Sequence, residues 1–162
     1  MNIFYLSDYP HLCAEFHCDK HVVKMILETA QMLCTAWRQE EKYPLSLYKQ
    51  THLNHPMSLW VRKTKANYLW SYKLFIELQR EYTYRYNKKH ACGKFNSVLK
   101  TVPPSLEEQN IEEKEWTEPP QCMPDIYKKS NYVQGYRQYY AKDKFKIANW
   151  TIRNTPQWML ER

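Results

Sequence analysis

Glycine is nearly missing from this chain: there are 2 in 162 residues, against 14 tyrosines and 6 tryptophans. Tight turns and strand ends lean on glycine, so this shortage argues against a turn-rich sheet protein and for long helices. Long apolar runs are also missing, which excludes a membrane-spanning helix. The opening MNIFYLSDYP has neither the basic lead nor the cleavage site of a secretory signal. A cytoplasmic location is therefore expected. Five cysteines are an odd number and form no CxxC pair, so neither a disulfide framework nor a zinc knuckle is indicated. The chain has no P-loop, no GxGxxG, no GxSxG and no nuclease-like cluster of carboxylates, which disfavours phosphoryl and hydride transfer. No repeat or low-complexity tract is visible, and no cofactor is implied. The expected fold is all-α: one compact domain over 1–162, a bundle of two long helices plus several shorter ones.

Net charge is +7, unevenly spread. Residues 107–118 hold six acids and one lysine within an acidic, proline-bounded loop at 105–120, so the rest of the chain carries about +12. That excess favours an anionic partner, with DNA or a nucleotide first.

The most informative stretch is HCDKHVVKMILETAQMLCTAW, residues 17–37. At about 100° per residue, Lys20, His21, Lys24, Glu28 and Gln31 fall on one narrow stripe. Val23, Ile26, Leu27, Ala30, Leu33, Cys34 and Trp37 take the opposite side. A thin polar seam walled by apolar side chains predicts a buried helix lining a cavity rather than a solvated face. Lys24 and Glu28, four apart, are placed to pair and to move protons. With Asp19 as N-cap, the helix runs from Lys20 to about Gln39. Lys20 and His21 then lie in the first turn, where free N–H groups and the helix dipole favour a phosphate.

Around this helix the chain reads in order. Residues 2–6, NIFYL, form an extended apolar segment laid against the core. Asp8 and Pro10 start a short helix. Asn54 and Pro56 begin a second long helix, from Pro56 to about Lys89, which places His52 and His55 at its N-terminus. Arg62 and Lys63 lie beside Trp60 and Tyr68, a mixture suited to phosphates and bases, with Asn67 as a polar group among bulky neighbours. A short helix follows His90 and Gly93 through Leu99. Asn131 caps a last helix from Tyr132 to about Trp150. There Tyr136, Arg137, Tyr140 and Lys144 belong to the densest basic and aromatic interleaving in the chain. The tail folds back through Trp158. His17 and His21 share the HxxxH spacing of zinc-binding helices, but the glutamate that accompanies the protease form is absent.

KHVVKMILETAQML, HLNHPMSLWVRKTKANYLW, EYTYRYNKKH, PPQCMPD and the YYAKDK segment resemble blocks of a family of small tailed-phage proteins, which brings no activity with it. HLCAEF, residues 11–16, the long Pro56 helix and the Tyr-rich basic C-terminal part are similar in order to phage pyrimidine-dimer DNA glycosylases of the endonuclease V type. That resemblance implies a compact basic helical fold, a processed N-terminal threonine amine as nucleophile and a glutamate in the first helix. Here residue 2 is Asn, and the glutamate position falls at Cys18 or Asp19.

The leading expectation is an enzyme acting on a nucleobase–sugar bond in DNA or a nucleotide. Phosphate sits near Lys20, Lys24 serves as amine nucleophile or clamp, and Glu28 or His21 handles protons. His55, Arg62, Lys63, Asn67, Tyr136, Arg137, Tyr140 and Lys144 hold the backbone, and a duplex base must leave the stack to reach the pocket. One alternative is a non-catalytic binder of a nucleotide or a host protein. Another is a metal-dependent hydrolase built from His17, His21, His52 or His55 with Glu28.

Overall fold

The computed structural model describes residues 1–161. Among the described residues there is no strand; the chain is all-α, and no helix is long and apolar enough to cross a membrane. Its helices are α1 (Pro10–Phe16), α2 (Asp19–Trp37), α3 (Pro56–Val61), α4 (Lys65–Tyr86), α5 (Asn96–Lys100), α6 (Pro104–Glu107), α7 (Tyr132–Asp143) and α8 (Gln157–Leu160). The two long members, α2 and α4, pack antiparallel. The Trp37 indole donates to the Tyr68 hydroxyl at one end (3.0 Å), and Arg85 meets Asp19 at the other (3.0 Å).

Several boundaries differ from the sequence expectation. The N-cap of α2 is Cys18 rather than Asp19. The Asp19 carboxylate is instead taken by Arg85 and by the backbone and hydroxyl of Thr151. Tyr9, not Asp8, precedes α1, and Asp8 accepts from the Tyr132 hydroxyl. The expected Pro56–Lys89 helix is two helices. Thr64 breaks it by accepting the N–H of Asn67 as an N-cap, a residue preference that the apolar periodicity concealed. Asn87 ends α4 in the left-handed conformation (φ 51°), as Asn tolerates. Asn131 does cap α7, by accepting from Gln134, but that helix stops at Asp143 instead of Trp150. The acidic stretch 105–120 holds the end of α6 and one 3₁₀ turn, Glu112–Lys114, and is otherwise irregular.

The N-terminal segment runs extended through the bundle, with Ile3, Phe4, Tyr5 and Leu6 all buried. A buried segment outside any helix or sheet must find partners for its backbone groups. The Phe4 carbonyl accepts from the Cys13 thiol, the Leu6 carbonyl from Arg137 Nε (2.9 Å), and the Asp8 carbonyl from the Trp70 indole (2.8 Å). Tyr5 stacks on Trp70, with ring centroids 4.3 Å apart, inside a group that includes Trp60, Trp116 and Tyr132.

One buried ionic knot ties the termini of the helices together. The Arg85 side chain, 1% exposed, donates to Glu81, Asp19 and the carbonyls of Glu15 and His17. Burial opposes the charge on Glu81, but the guanidiniums of Arg153 and Arg85 outweigh it and hold its carboxyl below the ordinary range. Removing one partner of such a set strands the other charges without water. An Arg85→Ala protein is expected to lose about 3–5 kcal/mol in urea unfolding, whereas Arg80→Ala, at the exposed Glu77 pair, should unfold almost as the parent does.

Candidate functional site

Glu28 is the centre of the site. It lies on α2 and is 9% exposed. Its Oε1 faces the Lys24 ammonium at 3.3 Å, and its Oε2 accepts the Asn2 N–H at 2.8 Å and faces the Met1 ammonium at 3.7 Å. Two amines of different kinds therefore converge on one carboxylate. The expected Lys24–Glu28 pair is present, with Lys24 mostly in solvent (66%). The glutamate beside the first residues is Glu28 itself, on the second helix, and not a residue at Cys18 or Asp19.

Asn2 fixes the approach of this segment. Its side-chain amide donates to the Cys122 carbonyl (3.1 Å), while its Oδ1 accepts the Ile3 N–H (2.9 Å) and lies 3.4 Å from the Tyr136 hydroxyl. Tyr136 donates to the Pro120 carbonyl (2.7 Å) and accepts the Cys122 N–H (3.1 Å). Cys122 lines a groove of about 700 Å³ with His55, Pro56, Pro120, Lys128 and Tyr139. Pro56 and Pro120 are shared with a second concavity of about 510 Å³, which holds Leu59, Trp60, Arg62 and Lys63. His55 feels both charges of the site. Burial, then the Met1 ammonium, lower its imidazole below the usual range, against the pull of Glu28. Its Nδ1 accepts the Met57 N–H, so His55, and not Asn54, is the N-cap of α3.

Other expected site residues fall elsewhere. Val23 and Leu27 are 37% and 38% exposed, sharing the outer face of α2 with Lys20 and Lys24. The buried face is turned from the expected one, because α3, α4 and the N-terminal segment cover α2 from three sides. Lys20 is exposed, and the start of α2 is not free for a phosphate. The Cys18 N–H goes to the Tyr140 hydroxyl, the Asp19 N–H to the Asn149 carbonyl, and the Asp19 carboxylate stands there. His21 is buried, stacked on Phe4 and hydrogen-bonded through Nδ1 to Tyr140 (2.8 Å). Asn67 is fully buried and grips Thr117 through both ends of its amide, which fixes the loop that walls the second concavity.

The basic and aromatic face read into α7 is largely internal. Tyr136 and Tyr140 are fully buried and cannot stack on bases, and Arg137 is spent on the Leu6 carbonyl and on the rings of Phe16 and Trp158. Lys144 remains near the groove, over the Tyr139 ring. Arg62 and Lys63 line the second concavity. Arg62 donates to Ser58 Oγ and makes no ion pair among the described residues. Burial pulls its guanidinium below the ordinary value.

The proposed metal set does not assemble. His17 Nδ1 contacts the Cys13 carbonyl, His21 contacts Tyr140, His52 contacts Thr51, and His55 caps α3. Among the described residues no group of three or more His, Cys, Asp or Glu converges on a point. The features that sequence reasoning missed are Asn2, Cys122 and Tyr139. Only the Asn at position 2, polar at the head of an apolar run, offered a signal.

No protein-family model matches the chain, and no curated protein or solved structure matches it either.

The two buried histidines set the acid response. Burial lowers His17 to about 4, and burial with His17 beside it lowers His21 to about 3. Both rings are neutral in the fold, while an unfolded chain binds their protons below about pH 6.5. Stability is therefore complete above about 6.5 and is lost as pH falls towards about 4, on the order of 3 kcal/mol from His17 alone. Urea midpoints across that window should drop steeply, and a His17→Gln protein should show a clearly smaller slope.

Proposed function

We propose that this chain breaks the bond between a nucleobase and its sugar in DNA or a nucleotide, with an amine held on Glu28 as nucleophile. The observation that carries this reading is the meeting of two amines on a nine-tenths-buried carboxylate, joined through Asn2 and Cys122 to an open groove. The amine attacks C1′ of the sugar and gives up a proton to Glu28 as the N–C bond forms. The base leaves with the electron pair of its bond to C1′ and takes up a proton; the C1′–O4′ bond then opens, O4′ taking up a proton as the nitrogen loses its second one, and water later hydrolyses the resulting imine to free the amine. Lys24, with its ammonium 3.3 Å from Glu28 Oε1 and mostly in solvent, is the amine that a substrate can reach, while residues 1 and 2 hold the other carboxylate oxygen.

The groove supplies what such a substrate needs. Lys128 and Lys144 lie at its Tyr139 end, and Arg62 and Lys63 lie beyond the Pro56–Pro120 ridge. Cations spaced along one track suit successive phosphates. His21, withdrawn onto Tyr140, is left out of proton transfer, and His55, which lines the groove, is the histidine on the substrate side.

A second reading is a non-catalytic binder, in which Glu28 only anchors the first two residues. It is favoured by the Asn2 N–H bond to Glu28, which serves structure whether or not chemistry occurs.

Borohydride trapping on a DNA duplex carrying an abasic site, with base release followed separately on base-bearing duplex, separates the two. A covalent adduct is expected, and mass spectrometry of the trapped peptide should locate it on Lys24. Lys24→Ala should not trap, and Glu28→Gln should slow turnover by about 10²-fold or more. No adduct and no base release from wild type, with Glu28→Gln binding DNA as well as wild type does, would leave the binder reading in its place.

A further inference from the structure

A concavity of about 810 Å³ lies away from Glu28, and none of the residues lining it belongs to either of the concavities beside that site. It opens between the outer face of α4 and the segment 89–96, which contains the 3₁₀ turn Ala91–Phe95. Lys89, Lys94 and Arg80 line it, and no Asp or Glu does. Arg80 is paired with Glu77, but Lys89 and Lys94 make no ion pair among the described residues. Lys94 instead lies over the rings of Tyr48 and Phe95, 5.5 and 4.9 Å from their centroids.

The floor carries a specific hydrogen-bonding edge. Gln79 Nε2 donates to Asn96 Oδ1 at 2.8 Å and to the Phe75 carbonyl at 3.3 Å. That pairing orients both amides and leaves one acceptor, Gln79 Oε1, and one donor, Asn96 Nδ2, with no hydrogen bond among the described residues. An acceptor next to a donor on fixed groups is the pattern that reads the edge of a nucleobase. His90 adds a further donor: its Nδ1 accepts the Cys92 N–H, which leaves the proton of the neutral ring on Nε2.

Gly93 keeps that edge open. It has no positive φ to explain it. A Cβ there would stand 3.2 Å from Gln79 Oε1, so any larger side chain would cover that oxygen. One of the two glycines in the chain is thus placed where a side chain would close the floor of a basic cleft. Tyr84, 57% exposed, gives the cleft an aromatic wall, with Arg153 seated on the ring (4.3 Å).

We propose that this cleft binds a nucleotide, free or at the end of a nucleic-acid strand, with its phosphate on Lys89 and Lys94 and its base edge on Gln79 and Asn96. The site is separate from the Glu28 groove and does not depend on the chemistry assigned to that groove.

Titration of the full chain with AMP, adenosine, inorganic phosphate and a 5′-phosphorylated oligodeoxynucleotide, followed by calorimetry and by the amide signals of Gln79, Gly93 and Asn96, tests this. AMP should saturate and move those three signals, with adenosine and phosphate each binding more weakly. Lys89→Ala with Lys94→Ala, both exposed positions, should weaken AMP about tenfold or more. Gly93→Val should do the same, and Glu28→Gln should leave AMP affinity unchanged. Tighter binding of the oligonucleotide than of AMP assigns the source to a strand end, and equal or weaker binding assigns it to free nucleotide. If AMP does not saturate, or if both the lysine pair and Gly93→Val bind as wild type, the proposal is overturned.

Discussion

A carboxylate withdrawn from water and contacted by cationic groups on both oxygens is the constraint on which the rest of the structure turns. Glu28 could not sit 9% exposed on α2 without partners. Lys24 takes one oxygen, and the first two residues take the other. That demand draws the N-terminal segment into the bundle, and the segment in turn needs Cys13, Arg137 and Trp70 to satisfy its carbonyls. Side chains that resemble surface equipment in the sequence are thereby drawn into internal service.

The same logic explains the fate of the tyrosines. Tyr136 and Tyr140 are long enough to carry a hydroxyl from α7 across the core to a backbone group that has no other partner. Tyr140 satisfies the start of α2, and Tyr136 joins Asn2 to the Pro120–Cys122 wall of the groove. A buried ring with a satisfied hydroxyl stabilises through both its area and its bond. The price is that neither ring is left to meet a ligand. What remains for a ligand is the rim: Lys128, Tyr139 and Lys144 at the groove, and Arg62 with Lys63 in the second concavity beyond Pro56 and Pro120.

Charge follows a division of labour. Buried ions are knotted to one another, as Arg85 is to Glu81 and Asp19, and they hold the helix ends and the tail together. Lysines stay at the surface; Lys128 on the rim of the groove is paired with Asp125, whereas the cleft beside Gly93 holds Lys89 and Lys94 without acids. Net positive charge alone says little about where an anion is held. Concavity next to unpaired cations says more.

Much of this was legible in the amino-acid order. The scarcity of glycine and the 3.6-residue periodicity are properties of local sequence, so the all-α class, the two long helices, the Lys24–Glu28 pair, the Asn131 cap and the buried NIFYL run could be read directly. Periodicity reports that a helix has a face. It does not report which neighbours cover that face, and the burial of α2 is therefore rotated, leaving Val23 and Leu27 outside and His21 inside. Caps depend on competition between nearby side chains, so Thr64 and His55 won where apolar spacing or Asn54 had been preferred. The partners of Glu28 lie 26 residues away or more in the case of Asn2, and those of Asn2 lie over 100 residues away at Cys122 and Tyr136. Contacts at such separations are fixed only when the chain closes on itself, which is why the seam was visible in the sequence and the amine beside it, the groove and the second cleft were decided by tertiary packing.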